Sequence, residues 1–126
     1  MFVVDQFDKV ICNNIEDIDK IIKRRNENGV NTIYMKPRES EPWPLMCILI
    51  KEDMAFINLC MQDLHQGYIS LTNYSLDLDY SDKTIFYEGK RPVEVQNIYV
   101  ISINEVFDVV HEFYQTENIP KCIEWS

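Results

Sequence analysis

Leu45-Met-Cys-Ile-Leu-Ile-Lys-Glu-Asp-Met-Ala-Phe-Ile-Asn-Leu-Cys-Met61 holds two apolar runs around one short charged connector. From Leu45 to Lys51 the apolar character is continuous rather than alternating, as in a strand covered on both faces. Lys51-Glu-Asp53 is a tight polar turn, after which apolar residues resume from Met54 to Met61. Two such runs joined so closely read as an antiparallel hairpin. Its two-sided burial places it at the centre of a sheet.

Working outward, Thr32-Ile-Tyr-Met35 reads as a further strand, and Glu41-Pro-Trp-Pro44 as a rigid loop in which two prolines hold Trp43. Gly67-Tyr-Ile-Ser-Leu71 and Lys83-Thr-Ile-Phe-Tyr87 read as strands, with Glu88-Gly-Lys90 as a turn. Two helices flank this region. In the first, Asn13 is an N-cap with Glu16 closing a capping box. Ile15, Ile18 and Ile22 share one face, Lys23, Arg24 and Arg25 lie in the last turn, and Gly29 is the C′ residue. The second opens with the capping box Ser102-Ile-Asn-Glu105. It carries an apolar stripe of Ile103, Val106, Phe107, Val110 and Phe113, bordered by Val109 and Tyr114. Asn118 and Pro120 mark its exit. The reading is a single α+β domain over 1–126: an antiparallel sheet of about five to six strands with two main helices packed on one face.

A chain of 126 residues with 46% apolar content has enough material for its own core. The apolar run at Leu45 is six residues, far short of the roughly 20 that span a bilayer. The N-terminus turns acidic at Asp5 without a basic flank, unlike a signal peptide. Cys12, Cys47 and Cys60 lie in apolar segments, and no C-x-x-C pair occurs among these and Cys122. Free, buried cysteines in a reducing cytoplasm are expected.

The net charge of −9 excludes more. Nucleic acid and anionic membrane would be repelled, since both demand a basic stripe. The charge either maintains solubility or steers a basic protein partner. Residues 64–126 carry ten acids against four bases, so a basic partner is expected to dock on that half.

Chemistry finds little footing. His65 and His111 stand in no H-x-x-x-H or H-x-E arrangement, so no metal is expected. A small cytosolic enzyme pairing one of these histidines with Cys60 or Cys122 is the alternative, though no strained nucleophile turn is present. The glycines Gly29, Gly67 and Gly89 are too dispersed to cradle a phosphate. No cofactor is implied. The segment Asn73-Tyr-Ser-Leu-Asp-Leu-Asp-Tyr-Ser-Asp82 stands apart, acidic and without a base, between strands. Asp77 and Asp79 at alternate positions can project together. They fit acid–base or cation chemistry, a solvated surface, or, with Tyr74 and Tyr80 as anchors, a protein contact.

The C-terminal third, with its Val-His-Glu-Phe-Tyr helix end followed by Glu117-Asn-Ile-Pro-Lys-Cys-Ile-Glu-Trp125, resembles bacterial polymorphic-toxin immunity proteins of the first-numbered Imm class. Pro120, Ile123 and Trp125 carry the resemblance, which is strongest over 102–125. It implies a cytoplasmic immunity protein, encoded beside a deaminase- or nuclease-type toxin, that binds the basic toxin domain and occludes its active site. On that basis the partner-binding residues are Trp43, Tyr74, Asp77, Asp79, Tyr80 and Asp82, while Pro120 and Trp125 pin the tail against the second helix. A self-associating adaptor that pairs through a sheet edge is the remaining alternative, which leaves the assembly open between a monomer and a weak dimer.

Overall fold

The computed structural model describes every residue except His65, and the reading of that histidine falls outside the described residues. In chain order the elements are β1 (Phe2–Val4), β2 (Lys9–Ile11), α1 (Ile15–Lys23), β3 (Val30–Lys36), β4 (Leu45–Lys51), β5 (Met54–Cys60), β6 (Tyr68–Ile69), β7 (Lys83–Glu88), β8 (Arg91–Gln96), a 3₁₀ turn (Asn97–Tyr99), β9 (Ile101–Ser102) and α2 (Ile103–Thr116). The fold is α+β.

The hairpin at 45–61 is the centre of the molecule. Lys51 pairs with Met54 and Leu45 with Cys60, so the connector is the two-residue turn Glu52-Asp53. Strands run in the order β2-β1-β3-β4-β5-β6, and β9 adds a seventh strand beside the start of β5. All the pairings are antiparallel. A separate two-stranded sheet, β7–β8, completes the β structure.

Side-chain parity explains why the central strands read as apolar throughout. Met46, Ile48 and Ile50 of β4, with Ala55, Ile57 and Leu59 of β5 and Ile33 and Met35 of β3, share one core with Ile18, Ile21 and Ile22 of α1 and Val106, Val109, Val110 and Phe113 of α2. The intervening residues Cys47, Leu49, Met54 and Phe56 meet Phe86 and Val95 of the β7–β8 hairpin, together with Val100. Each fully buried Ile, Leu or Phe contributes about 1.5–3 kcal/mol. Neither core is dispensable at that rate, and the second is the smaller.

α2 follows its sequence pattern. Ser102 and Glu105 form the reciprocal capping box, and Glu117 closes the helix in the left-handed conformation. α1 differs at both ends. Its N-cap is Asn14, whose side chain accepts from the Asp17 N–H at 2.9 Å. Asn13 lies one residue outside, its carbonyl accepting from the Tyr114 hydroxyl, so the box with Glu16 does not form. The helix ends at Lys23. Arg24 departs as an extended cap, and Gly29 belongs instead to the turn into β3. There Gly29 has φ of +76°, and a Cβ on it would stand 2.0 Å from the Glu52 carboxylate. Arg25 spends its guanidinium on the carbonyls of Ile22, Arg24 and Glu52, which ties the helix exit to the β4–β5 turn.

The C-terminal tail does more than pack against α2. Trp125 sits against the main core, and its indole N–H donates to the Pro120 carbonyl at 2.7 Å. Ile69 and Ser126 exchange backbone hydrogen bonds, and the Leu71 N–H donates to the Glu124 carbonyl. The tail therefore covers the outer edge of β6. At the opposite edge, the Lys9 N–H is taken by the Asp8 side chain. Such a charged, self-satisfied strand end blunts edge pairing.

All four cysteines are free, but only Cys12 is buried. Cys47 and Cys60 are half-buried, and Cys122 is exposed. In the irregular tail Ile123 packs against the core while Cys122 turns out.

Candidate functional site

Residues 73–82 form an irregular loop between β6 and β7. Local chemistry builds it. The Thr72 hydroxyl accepts from the Tyr74 N–H at 3.1 Å, and the Asn73 side chain from the Ser75 N–H at 3.0 Å. These two contacts turn the chain at Tyr74, which has φ of +62°. Leu76 and Leu78 then pack against the smaller core. Because they face inward, the alternate residues Asp77 and Asp79 face solvent. Asp82 is exposed as well.

Asn97, 4% exposed, fastens this loop from beneath. Its side-chain N–H donates to the Asp79 carbonyl at 2.7 Å, and its backbone N–H donates to the Asp82 carbonyl at 3.0 Å. Its side-chain oxygen accepts from the Thr84 hydroxyl at 2.6 Å. Nothing local marks Asn97 in the sequence, since its partners lie 13 to 18 residues away.

The two tyrosines play unequal parts. Tyr80 is half-buried, with its hydroxyl on the Leu76 carbonyl at 2.7 Å. Its ring meets that of Tyr74 edge-on at 4.8 Å. Tyr74 is 66% exposed and stands on this support. The Asp79 carboxylate accepts from the Ser81 hydroxyl and N–H, which holds its pKa below the ordinary carboxylate value. Asp82 accepts from the Lys83 N–H. Among the described residues no cation pairs with Asp77, Asp79 or Asp82, and the adjacent Lys83 is drawn to Glu94 at 3.2 Å. The loop thus presents three carboxylates without a cation partner and one exposed aromatic ring braced by Tyr80. Among the described residues no group of three candidate ligands could hold a metal ion.

Trp43 comes from elsewhere. It is half-buried, directly before β4, and joined to Pro44 by a cis peptide bond. No hydrogen bond or ring contact joins it to residues 73–82 among the described residues, so the predicted contact set divides into the acidic loop and a separate tryptophan.

His111 and the cysteines are engaged differently. His111 on α2 meets the Asp19 carboxylate of α1 at 2.7 Å, bridging the two helices. The Cys47 thiol is pushed up to about 12 by burial and by Glu88; Cys122 is exposed as a residue, but local desolvation of its thiol and Glu112 raise it to about 11. Burial also raises Cys12. All three shifts run opposite to the direction that activates a nucleophile.

One feature escaped sequence reasoning. A cleft of about 860 Å³ opens at the far end of the β7–β8 hairpin, lined in part by Gln6, Asn26, Lys51, Tyr87 and Lys90. It adjoins a hollow of about 210 Å³ walled by Asp5, Tyr34 and Glu88. The lining comes from several separate segments, so no stretch of sequence announces it. No protein-family model matches the chain, and no curated protein matches it.

Among the described residues, no helix is long and apolar enough to cross a membrane.

Proposed function

We propose that this chain is an inhibitory binding module, an immunity protein that covers the basic active-site face of a cognate bacterial toxin domain in the cytoplasm. The observation that carries the reading is the 73–82 loop, which exposes Asp77, Asp79 and Asp82 without a cation partner among the described residues, together with the exposed Tyr74. An aromatic ring with its rotation already restrained loses little entropy on docking, and flanking charges steer a basic partner into register. The acidic field of the whole chain, net −9, adds to that steering. The resemblance of residues 102–125 to the first-numbered Imm class supplies the kind of partner. In this reading Pro120 and Trp125 shape the scaffold, and the loop meets the toxin.

The test is charge reversal at Asp77 and Asp79, both exposed. The double variant Asp77→Lys with Asp79→Lys should bind the toxin domain encoded beside this chain at least about ten-fold more weakly, a loss of about 1.4 kcal/mol. Its thermal midpoint should stay near that of the parent. Undiminished affinity in a folded double variant would remove the loop from the interface.

A further inference from the structure

The cleft at the tip of the β7–β8 hairpin is lined by two lysines, Lys51 and Lys90. Lys51 is half-buried, and its ammonium donates to the Ile85 carbonyl at 3.1 Å. An ammonium carries three N–H donors, and this partner is neutral. Among the described residues no carboxylate pairs with Lys51 or with Lys90 on the neighbouring wall. Of the other bases, Lys9, Arg24, Arg38, Lys83 and Arg91 have acid partners; the half-buried Arg25 fills its donors on three carbonyls, and the half-buried Lys36 stands over the Phe2 ring. Although the chain has 21 acids for 12 bases, among the described residues none of the acids reaches this partly desolvated ammonium, whose remaining donors are open to an anion. Glu27 is the single acid lining the cleft, and it is exposed.

The adjoining hollow does not offer the missing charge. Asp5 has a side chain only 1% exposed, held by Arg24 at 3.6 Å and by the Asn31 amide at 3.1 Å. Glu88 is occupied by Arg91 and by the Tyr34 hydroxyl. The cleft walls are also fixed in advance. The Gln6 amide donates to the Val30 carbonyl at 2.7 Å, and the Asn26 side chain accepts from the Asn28 and Val30 N–H groups. The Gly89 N–H is held by the Thr32 hydroxyl at 3.0 Å. A preformed concavity of about 860 Å³ is in the range of small-ligand sites.

We propose that this cleft binds a small anionic ligand, a phosphorylated or carboxylated molecule whose charge completes Lys51 and Lys90, with Tyr87 as an aromatic wall. The site is independent of the toxin-docking reading. It lies at the opposite end of β7 from Asp82, roughly 17 Å away at about 3.4 Å per residue.

Calorimetric titration of the purified chain with pyrophosphate and with citrate tests the proposal. Saturable binding of at least one probe is expected, and the probe that binds more tightly identifies phosphoryl or carboxylate recognition. Lys51→Met combined with Lys90→Ala should weaken it at least about ten-fold. Lys90→Ala alone, at an exposed turn, should weaken it measurably without disturbing the fold. Lys36→Met, a lysine on another strand, should leave it unchanged. Because the chain is strongly acidic, general anion adsorption is suppressed. Absence of saturable binding by both probes overturns the proposal, as does binding that survives Lys90→Ala and the double substitution or falls equally in Lys36→Met.

Discussion

Replacing Thr32 by valine removes the clasp that holds the β7–β8 hairpin against the main sheet. Thr32 is 6% exposed. Its hydroxyl donates to the Tyr87 carbonyl at 2.8 Å and accepts from the Gly89 N–H at 3.0 Å. Valine fills the same space, so packing is preserved while both backbone groups lose their partner. An orphaned buried polar group costs about 1–3 kcal/mol. These two are partly buried, which places the pair at about 2 kcal/mol. Unfolding entropy of about 2.1 cal/mol/K per residue makes that a fall of roughly 8 °C for a chain of this length. Calorimetry would measure the fall, and hydrogen exchange at Gly89 would locate it. Thr32→Ser keeps the hydroxyl and should retain Gly89 protection. A Thr32→Val protein that melts within about 2 °C of the parent, with Gly89 still protected, would refute the reasoning.

Glu88 gives a pH dependence with a definite sign. Hydrogen bonds from Arg91 first, and from Tyr34 second, hold its carboxyl below the ordinary value of 4.5. A depressed folded-state pKa adds stability above the unfolded value and loses it as pH falls through the folded one. The parent should therefore lose stability more steeply than Glu88→Gln below pH 4.5, and parallel acid-unfolding curves would show that Glu88 has no such role. At the tail, Trp125→Ala removes a half-buried ring packed on the main core and its bond to Pro120. A loss of about 2–3 kcal/mol by urea unfolding is expected, with faster exchange at the Ile69 and Leu71 amides; unchanged exchange there would mean that the tail does not guard the edge of β6.

Much of the fold was legible where pattern and burial coincide. The 45–61 hairpin announced itself because residues of both parities are apolar, which the structure explains by two cores on opposite faces of the sheet. α2 was legible from Ser102, Glu105 and a broad stripe. β1 and β2 have three residues each, and β9 has two, too few for any period to show. β8 hides behind Pro92 and its exposed charges Arg91 and Glu94. At α1 the adjacent asparagines 13 and 14 both suit a cap, and only tertiary contact, the Tyr114 hydroxyl on Asn13, separates them.

The acidic segment was legible as either a loop or an exposed edge; the structure makes it a loop, and its display of Asp77 and Asp79 follows from the inward leucines beside them. The unequal roles of its tyrosines were not legible. Tyr80 and Tyr74 look alike in sequence, and only the Leu76 carbonyl separates the strut from the displayed ring. Asn97 and the lysine-lined cleft are products of topology. They depend on residues that the chain brings together from distant segments.

The central claim is that the Tyr74–Asp82 loop is the face that docks on a basic toxin domain. Hydrogen exchange on the chain alone and in complex with the toxin domain encoded beside it measures this directly. Added protection should concentrate on residues 73–82, while α1, α2 and the Lys51–Lys90 cleft exchange as before. Protection centred on the helices or the cleft, with residues 73–82 unaltered, would contradict it.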